Sequence, residues 1–93
     1  MRRIKKLAAF RRDLKRESKG HNLNTLNQEL PGILASLAQD KPLPAKYRDH
    51  ALSGNWVGRR ECHIRPDLLL VYLKTDDNEL HLVGLGSHSQ IFG

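Results

Sequence analysis

The sequence predicts an α+β domain: two N-terminal helices packed on a small antiparallel sheet of three or four strands. Three observations carry this. Before Pro42-Leu43-Pro44 the apolar residues recur three and four apart, and after it alternation and β-branched or aromatic residues take over. No repeat, low-complexity tract or linker interrupts the 93 residues, a length suited to one domain with a modest core. The single Cys62 cannot close an internal disulfide, so apolar packing must hold the fold.

The elements follow in order. Residues 2–8 are ambiguous, because Ile4 and Leu7 suit a helix and a short edge strand fits equally. Residues 9–19 set Phe10 and Leu14 among charges, which suits a surface helix ended by Gly20. Residues 22–39 align Leu23, Leu26, Leu30, Ile33, Leu34 and Leu37 on one helical face, with Asn22 or Asn24 available as a cap. Pro31-Gly32 interrupts that pattern. Proline removes a backbone hydrogen bond and clashes with the preceding turn, so a kink is expected, or a break with Pro31 opening a second segment. Residues 56–65 alternate, with Val57, Arg59, Glu61, His63 and Arg65 on one strand face. Trp56, Gly58, Arg60, Cys62 and Ile64 share the other, which places Trp56 in the core. Leu68 to Lys74 is a continuous apolar run and reads as a central strand covered on both faces. Thr75-Asp76-Asp77-Asn78 supplies a turn into a second strand, Glu79 to Leu85, forming an antiparallel hairpin.

The charge is uneven. The chain carries a formal +6, and residues 1–20 alone hold nine Lys/Arg against Asp13 and Glu17. A solvated helix face is the ordinary reading of a charge run. Nine cations in this stretch favour a polyanion instead, nucleic acid or an acidic protein, with Arg11, Arg12, Lys15 and Arg16 as the contacts. No apolar run approaches the ~20 residues that span a bilayer, and the N-terminal residues lack the apolar core of a secretory signal. A cytoplasmic protein with no membrane partner is expected.

The chemistry sits after Pro44. His50, His63, His81 and His88 can exchange protons near neutral pH. His63 shares its predicted strand face with Arg59, Glu61 and Arg65, and Asp67 follows across the Pro66 turn. An ordinary solvated strand would look the same, and only the neighbouring histidines tip the balance. As metal ligands, His50, Cys62, His63, Asp67, His81 and His88 are poorly spaced. There is no Cys-x-x-Cys and no His-x-x-x-His, and Cys62 and His63 point to opposite faces. No metal and no cofactor are expected. Cleaving RNA needs neither. A base takes the proton of the 2′-OH, a cation steadies the phosphorane oxygens, and an acid protonates the leaving 5′-oxygen. Histidines suit the acid and base, and Arg59, Arg60 and Arg65 suit the clamp. Phe92, beside the C-terminal glycine, suits base stacking.

The stretch from Lys46-Tyr47-Arg48-Asp49-His50 through Gly54-Asn55-Trp56-Val57-Gly58 to Arg60-Glu61-Cys62-His63-Ile64-Arg65-Pro66-Asp67 resembles the block "DHxLxGxWxGxR(D/E)xHxxPDW" of YafQ-type toxins. These belong to the RelE/ParE superfamily of bacterial type II toxin–antitoxin systems. Leu70-Val71-Tyr72 looks like the family's central strand, and Gly86-Ser87-His88 with Phe92-Gly93 is similar to its closing "GTHxxLFG". The resemblance runs through residues 42–93, and Leu68 stands where the family has an aromatic residue. It implies a RelE/ParE-like fold and a ribosome-dependent endoribonuclease (an mRNA interferase) that cuts mRNA in the 30S A site. It assigns His50, His63, Asp67 and His88 as catalytic, Glu61 as a supporting carboxylate and Phe92 as a substrate-placing residue. It further implies a cognate acidic, DNA-binding antitoxin in a 2:2 complex. Two other readings stay open at this point: a non-catalytic, gyrase-inhibiting ParE-like toxin, and a basic RNA- or ribosome-binding module.

Overall fold

The computed structural model describes residues 1–93. Its centre is the apolar run Leu68–Lys74. The elements are β1 (Arg3–Lys6), α1 (Ala8–Ser18), α2 (Leu23–Ala38), β2 (His50–Ala51), β3 (Arg60–Arg65), β4 (Leu68–Lys74), β5 (Glu79–Gly86) and α3 (His88–Phe92). Single 3₁₀ turns at Ala45–Tyr47 and Gly54–Trp56 flank β2.

The strands lie in the order β1-β5-β4-β3-β2. The central hairpin of β4 and β5 is the expected one. Two corrections concern the edges. There are five strands instead of three or four, and β1 pairs with β5 in parallel. Residues 2–8 resolve into the edge strand because β5 would otherwise leave one side of its backbone unpaired. A parallel partner can lie there because both helices and three strands separate β1 from β5. All four β1 residues are exposed, and Arg3, Lys5 and Lys6 discourage further edge pairing. At the other edge, β2 is only two residues long, too short for alternation to reveal.

The helices cover one face of the sheet. Phe10 of α1 and Leu26, Leu30, Ile33 and Leu37 of α2 meet Cys62, Ile64, Leu68, Leu70, Tyr72, Leu80, Leu82 and Leu85 in one core. Leu69 and Val71 are equally buried, so β4 is covered on both faces as the apolar run requires.

The expected kink or break at Pro31 does not split α2, which runs unbroken from Leu23 to Ala38. Pro31 and Gly32 lie on the exposed face. The carbonyl that loses its partner there can be solvated, while Leu30 and Ile33 hold the other face to the sheet. Asn22 occupies the cap position of α2 but makes no capping bond, and its side chain donates to Glu17 instead.

The predicted strand over 56–65 begins only at Arg60. Gly54 and Gly58 both take positive φ, and successive turn bonds link Ser53 to Trp56, Gly54 to Val57 and Trp56 to Arg59. These turns end the alternation before Arg60, and Trp56 consequently lies outside the core. At the C-terminus a third helix, α3, follows β5, and sequence periodicity is too short to show it.

The start of the chain is tied down by Asp40, which accepts from Arg2 at 2.8 Å and Lys74 at 2.9 Å. These bonds hold its carboxyl well below the ordinary range, at about 2.

Because Pro31 contributes no burial and costs α2 one backbone bond, Pro31→Ala is expected to stabilise the fold by about 1–3 kcal/mol. Urea unfolding of the two proteins measures this, and an unchanged or lower midpoint would show that the proline constrains the native helix usefully.

Candidate active site

The pleat of β3 sends Cys62 and Ile64 into the core and Glu61 and His63 to the opposite face. Burial pushes the Cys62 thiol up to about 12, so it stays protonated and is no nucleophile or ligand. A register shift between His63 and Arg65 bends β3 immediately beside the site.

His50 comes from β2. The antiparallel pairing sets it directly across from Glu61. Its Nε2 lies 2.9 Å from Glu61 Oε1, and the Nε2 of His63 lies 3.5 Å from the same oxygen. The two imidazoles are stacked, with centroids 6.0 Å apart. Glu61 is 5% exposed, and its Oε2 is buried without a partner. A buried carboxylate with one unpaired oxygen is costly, by about 1–3 kcal/mol. Such a cost fits a site better than a scaffold.

The tautomer of His50 follows from its other nitrogen. Nδ1 lies 2.7 Å from the carbonyl of Arg48, and a carbonyl only accepts, so Nδ1 carries a proton. A bond between Nε2 and Glu61 then needs a second proton on one of those two atoms.

A clamp behind His50 holds it there. Asp49 accepts from the Arg60 guanidinium at 3.1 Å and from the Tyr72 hydroxyl, and Arg60 also reaches that hydroxyl. Burial, and then the bond to Asp49, raise the Tyr72 phenol far above its ordinary value. Arg60 is thus committed to the protein.

A second set of groups comes from the C-terminus. Leu52, Ser53, Trp56, Glu61, His88 and Phe92 line a slot of about 280 Å³. Trp56 meets Phe92 edge-on at 4.9 Å, and His88 lies 4.8 Å from Phe92. The Arg59 guanidinium sits 5.7 Å above the Trp56 ring. Glu61 belongs to both sets, so the slot opens onto the imidazole pair. Trp56 is therefore a wall of the site. Sequence alternation misses this, although its place between two glycines marks a turn.

The position of His88 is set by the end of β5. The Leu85 N–H donates to Asp13 at 3.0 Å, and the Leu85 carbonyl accepts from Arg16 at 2.8 Å, so α1 grips the strand just before the site. Ser87 then caps α3 reciprocally with Gln90. Gly86 joins the two at φ +152, where a Cβ would stand 2.7 Å from both Arg16 Nη2 and Gln90 Oε1.

The remaining candidates lie elsewhere. Asp67 is exposed on the β3–β4 turn and joins neither set. Arg65 pairs with Glu29, which also accepts from Tyr47 at 2.7 Å. The Tyr47 bond, then Arg65, hold the Glu29 carboxyl below its ordinary value despite some desolvation. Arg11, Arg12 and Lys15 are exposed along α1, whereas Arg16 is bonded to Asp13, Glu17 and Leu85. His81 pairs with Glu79.

His50, Glu61 and His63 also offer ligand atoms within 4.8 Å of one another. Two imidazoles and a carboxylate suit zinc, copper or nickel. Linear spacing does not show this trio, because β2–β3 pairing is what brings His50 in.

Over residues 2–93 the chain matches the family "Bacterial toxin of type II toxin-antitoxin system, YafQ". It is 35% identical over 85 residues to the mRNA interferase toxin YafQ of Escherichia coli K12, covering 90% of this chain and 88% of that one. Among solved structures, a metal-bound toxin from Helicobacter pylori is 44% identical with a TM-score of 0.84, covering 99% of this chain and 100% of the other. The YafQ of the E. coli DinJ–YafQ complex is 35% identical with a TM-score of 0.83, over the full length of both.

Gly86→Ala forces a Cβ into the grip that α1 and Gln90 hold on the β5 end. It is expected to lower stability by about 1–3 kcal/mol and to move the His88 ring resonances in NMR spectra while those of His50 and His63 hold. Unmoved His88 signals would mean that α3 is placed by something other than this joint.

Proposed function

This chain belongs to the YafQ family of bacterial type II toxin–antitoxin toxins, and from that premise we propose that it cuts mRNA in the ribosomal A site without a metal ion, stopping translation and growth. It is an mRNA interferase, an endoribonuclease, as its E. coli relative is named. The observation that carries the proposed mechanism is the single carboxylate oxygen of Glu61 between the His50 and His63 imidazoles, opening onto a slot that holds His88.

In the proposed reaction a base takes the proton of a 2′-OH, and that oxygen attacks the adjacent phosphorus. The 5′-oxygen leaves with a proton from an acid, giving a 2′,3′-cyclic phosphate and a 5′-hydroxyl. The imidazoles of His50, His63 and His88 supply base and acid. His50 and His63 are joined through Glu61. Glu61 orients both rings. Arg59 faces the substrate phosphates, Arg65 lies beside them with its charge already taken up by Glu29, and Phe92 receives a base. Asp67 belongs to the catalytic set by motif position and would act from the turn as the substrate crosses it. Arg60 and Arg16 act by positioning, through the Asp49 clamp and the β5 grip.

The Helicobacter neighbour is metal-bound, and here His50, Glu61 and His63 would hold such an ion. An ion there would supply positive charge near the phosphate. It would also occupy the nitrogens that the acid–base route uses.

Arg11, Arg12 and Lys15 on α1 would engage rRNA phosphates. The same positive surface favours an acidic antitoxin, and a disordered acidic segment can wrap it on binding. A relative is solved with its partner DinJ, and for this chain a cognate DNA-binding antitoxin in a 2:2 complex is proposed. A gyrase-inhibiting or purely RNA-binding role leaves the convergence of His50, Glu61 and His63 without a use.

Expression without the antitoxin is expected to arrest growth, with primer extension showing new 5′ ends inside coding regions and in frame. His63→Ala and His88→Ala should each lower cleavage by ~10²–10⁴-fold with the fold intact, and EDTA levels that spare the ribosome should leave cleavage unaffected. Arrest with intact mRNA would favour the gyrase reading, and loss restored only by a transition metal would replace the acid–base mechanism.

Mixing the purified toxin with its antitoxin at equimolar ratio is expected to abolish cleavage. Full cleavage by a complex shown intact on a sizing column would remove the proposed partner role.

A further inference from the structure

A second concavity adjoins the site, and one of the residues that line it, Arg48, has no part in the reaction described above. It is a groove of about 370 Å³ on the far side of His63 from the aromatic slot, bordered by Lys46, Tyr47, Arg48, His63, Arg65 and Pro66. Its cations are not equivalent. Arg65 is neutralised by Glu29, and the Lys46 ammonium sits 5.0 Å over the Tyr47 ring. Arg48 is exposed and forms no ion pair or side-chain hydrogen bond.

The backbone of Arg48 sharpens the point. It adopts φ 48°, ψ 45°, the left-handed conformation that non-glycine residues seldom take. The turn itself has a clear purpose, because this geometry aims the Arg48 carbonyl at His50 Nδ1. Glycine would serve that purpose with less strain, since only the carbonyl is used. An arginine at such a position fits a need for its side chain, and the side chain borders the groove beside His63.

We infer that this groove is a subsite for the mRNA phosphodiester next to the scissile one, with Arg48 as its cation. The inference rests on the RNA-cleaving reading of the site. The slot of Trp56 and Phe92 takes a nucleobase on one side of Glu61, and the groove takes a phosphate on the other. A strand would then lie across His50 and His63 along β3. An unpaired guanidinium is suited to this, because it can donate two parallel bonds to one phosphate. Arg48 is thus a substrate-positioning residue at its side chain and a His50-positioning residue at its carbonyl.

The test measures single-turnover cleavage on ribosomes programmed with mRNA, using the full chain and its Arg48→Gly, Arg48→Asn and Arg48→Lys variants. Glycine and asparagine both tolerate the left-handed turn, so the His50 contact is kept. Arg48→Gly is expected to raise the melting temperature yet lower kcat/KM at least tenfold. Arg48→Asn should lose as much activity, and Arg48→Lys, which keeps the charge without the two-bond fork, should recover part of it. The mRNA is then made with one neutral methylphosphonate on either side of the cleaved bond. At one of these positions it should slow the parent protein to the level of Arg48→Gly and leave Arg48→Gly no slower. Equal cleavage by parent and Arg48→Gly would overturn the subsite. So would a methylphosphonate penalty of the same size in both proteins, and a loss in Arg48→Gly with no sensitive mRNA phosphate would assign the contact to rRNA instead. A parent protein that cleaves no mRNA would bring down the reading beneath this one as well.

Discussion

The site depends on one carboxylate. Glu61 is buried against the sheet with one oxygen unpaired and the other shared between His50 and His63. Burial weakens solvent screening, so the attraction between this carboxylate and a protonated imidazole is stronger than on an open surface. It also means the carboxylate is stable there only while the imidazoles stay in place. The two-residue strand β2 is what keeps them so, since it delivers His50 across the sheet by its pairing with Glu61. Two backbone positions of β2 could not hold this alone. The bonds among Asp49, Arg60 and Tyr72 bind the segment to the core from the other side.

The sheet separates stability from chemistry by its pleat. Residues that alternate along β3 serve opposite ends: Cys62 and Ile64 close the helical core, while Glu61 and His63 build the site. β4 runs between these roles and is buried from Leu68 to Tyr72. The helices are not passive covers, because Asp13 and Arg16 reach from α1 to the last peptide before the β5 joint. A basic helix that reads as a polyanion surface therefore spends one of its cations on placing His88. Charge and position are distinct questions for each arginine, as Arg60 also demonstrates.

Membership in the YafQ family is consistent with a small basic chain whose candidate site is open. On the reading proposed above, the aromatic slot and the basic groove would divide recognition into stacking and phosphate contact. Both are sequence-tolerant interactions, so neither by itself selects a codon.

Much of this was legible in the linear chain. The helices of α1 and α2, the β4–β5 hairpin and its turn are local: each is set by apolar period and turn residues within a dozen positions. The opposition of Cys62 and His63 is local too, because it needs only the strand pleat. Long-range pairing decided the rest. The parallel β1 edge depends on the open side of β5, distant in the chain. Trp56 left the core because Gly54 and Gly58 turn the backbone before the strand begins, and Phe92, from the other end, meets its ring edge-on. The trio of His50, Glu61 and His63 is invisible to spacing rules, since those rules read neighbours along one element and His50 arrives from another. The sequence by itself determined which residue types could do the chemistry and where α1, α2 and the β4–β5 hairpin would form. Tertiary structure decided which of them meet, because the sharing of one carboxylate oxygen is a matter of ångströms that only strand register can set.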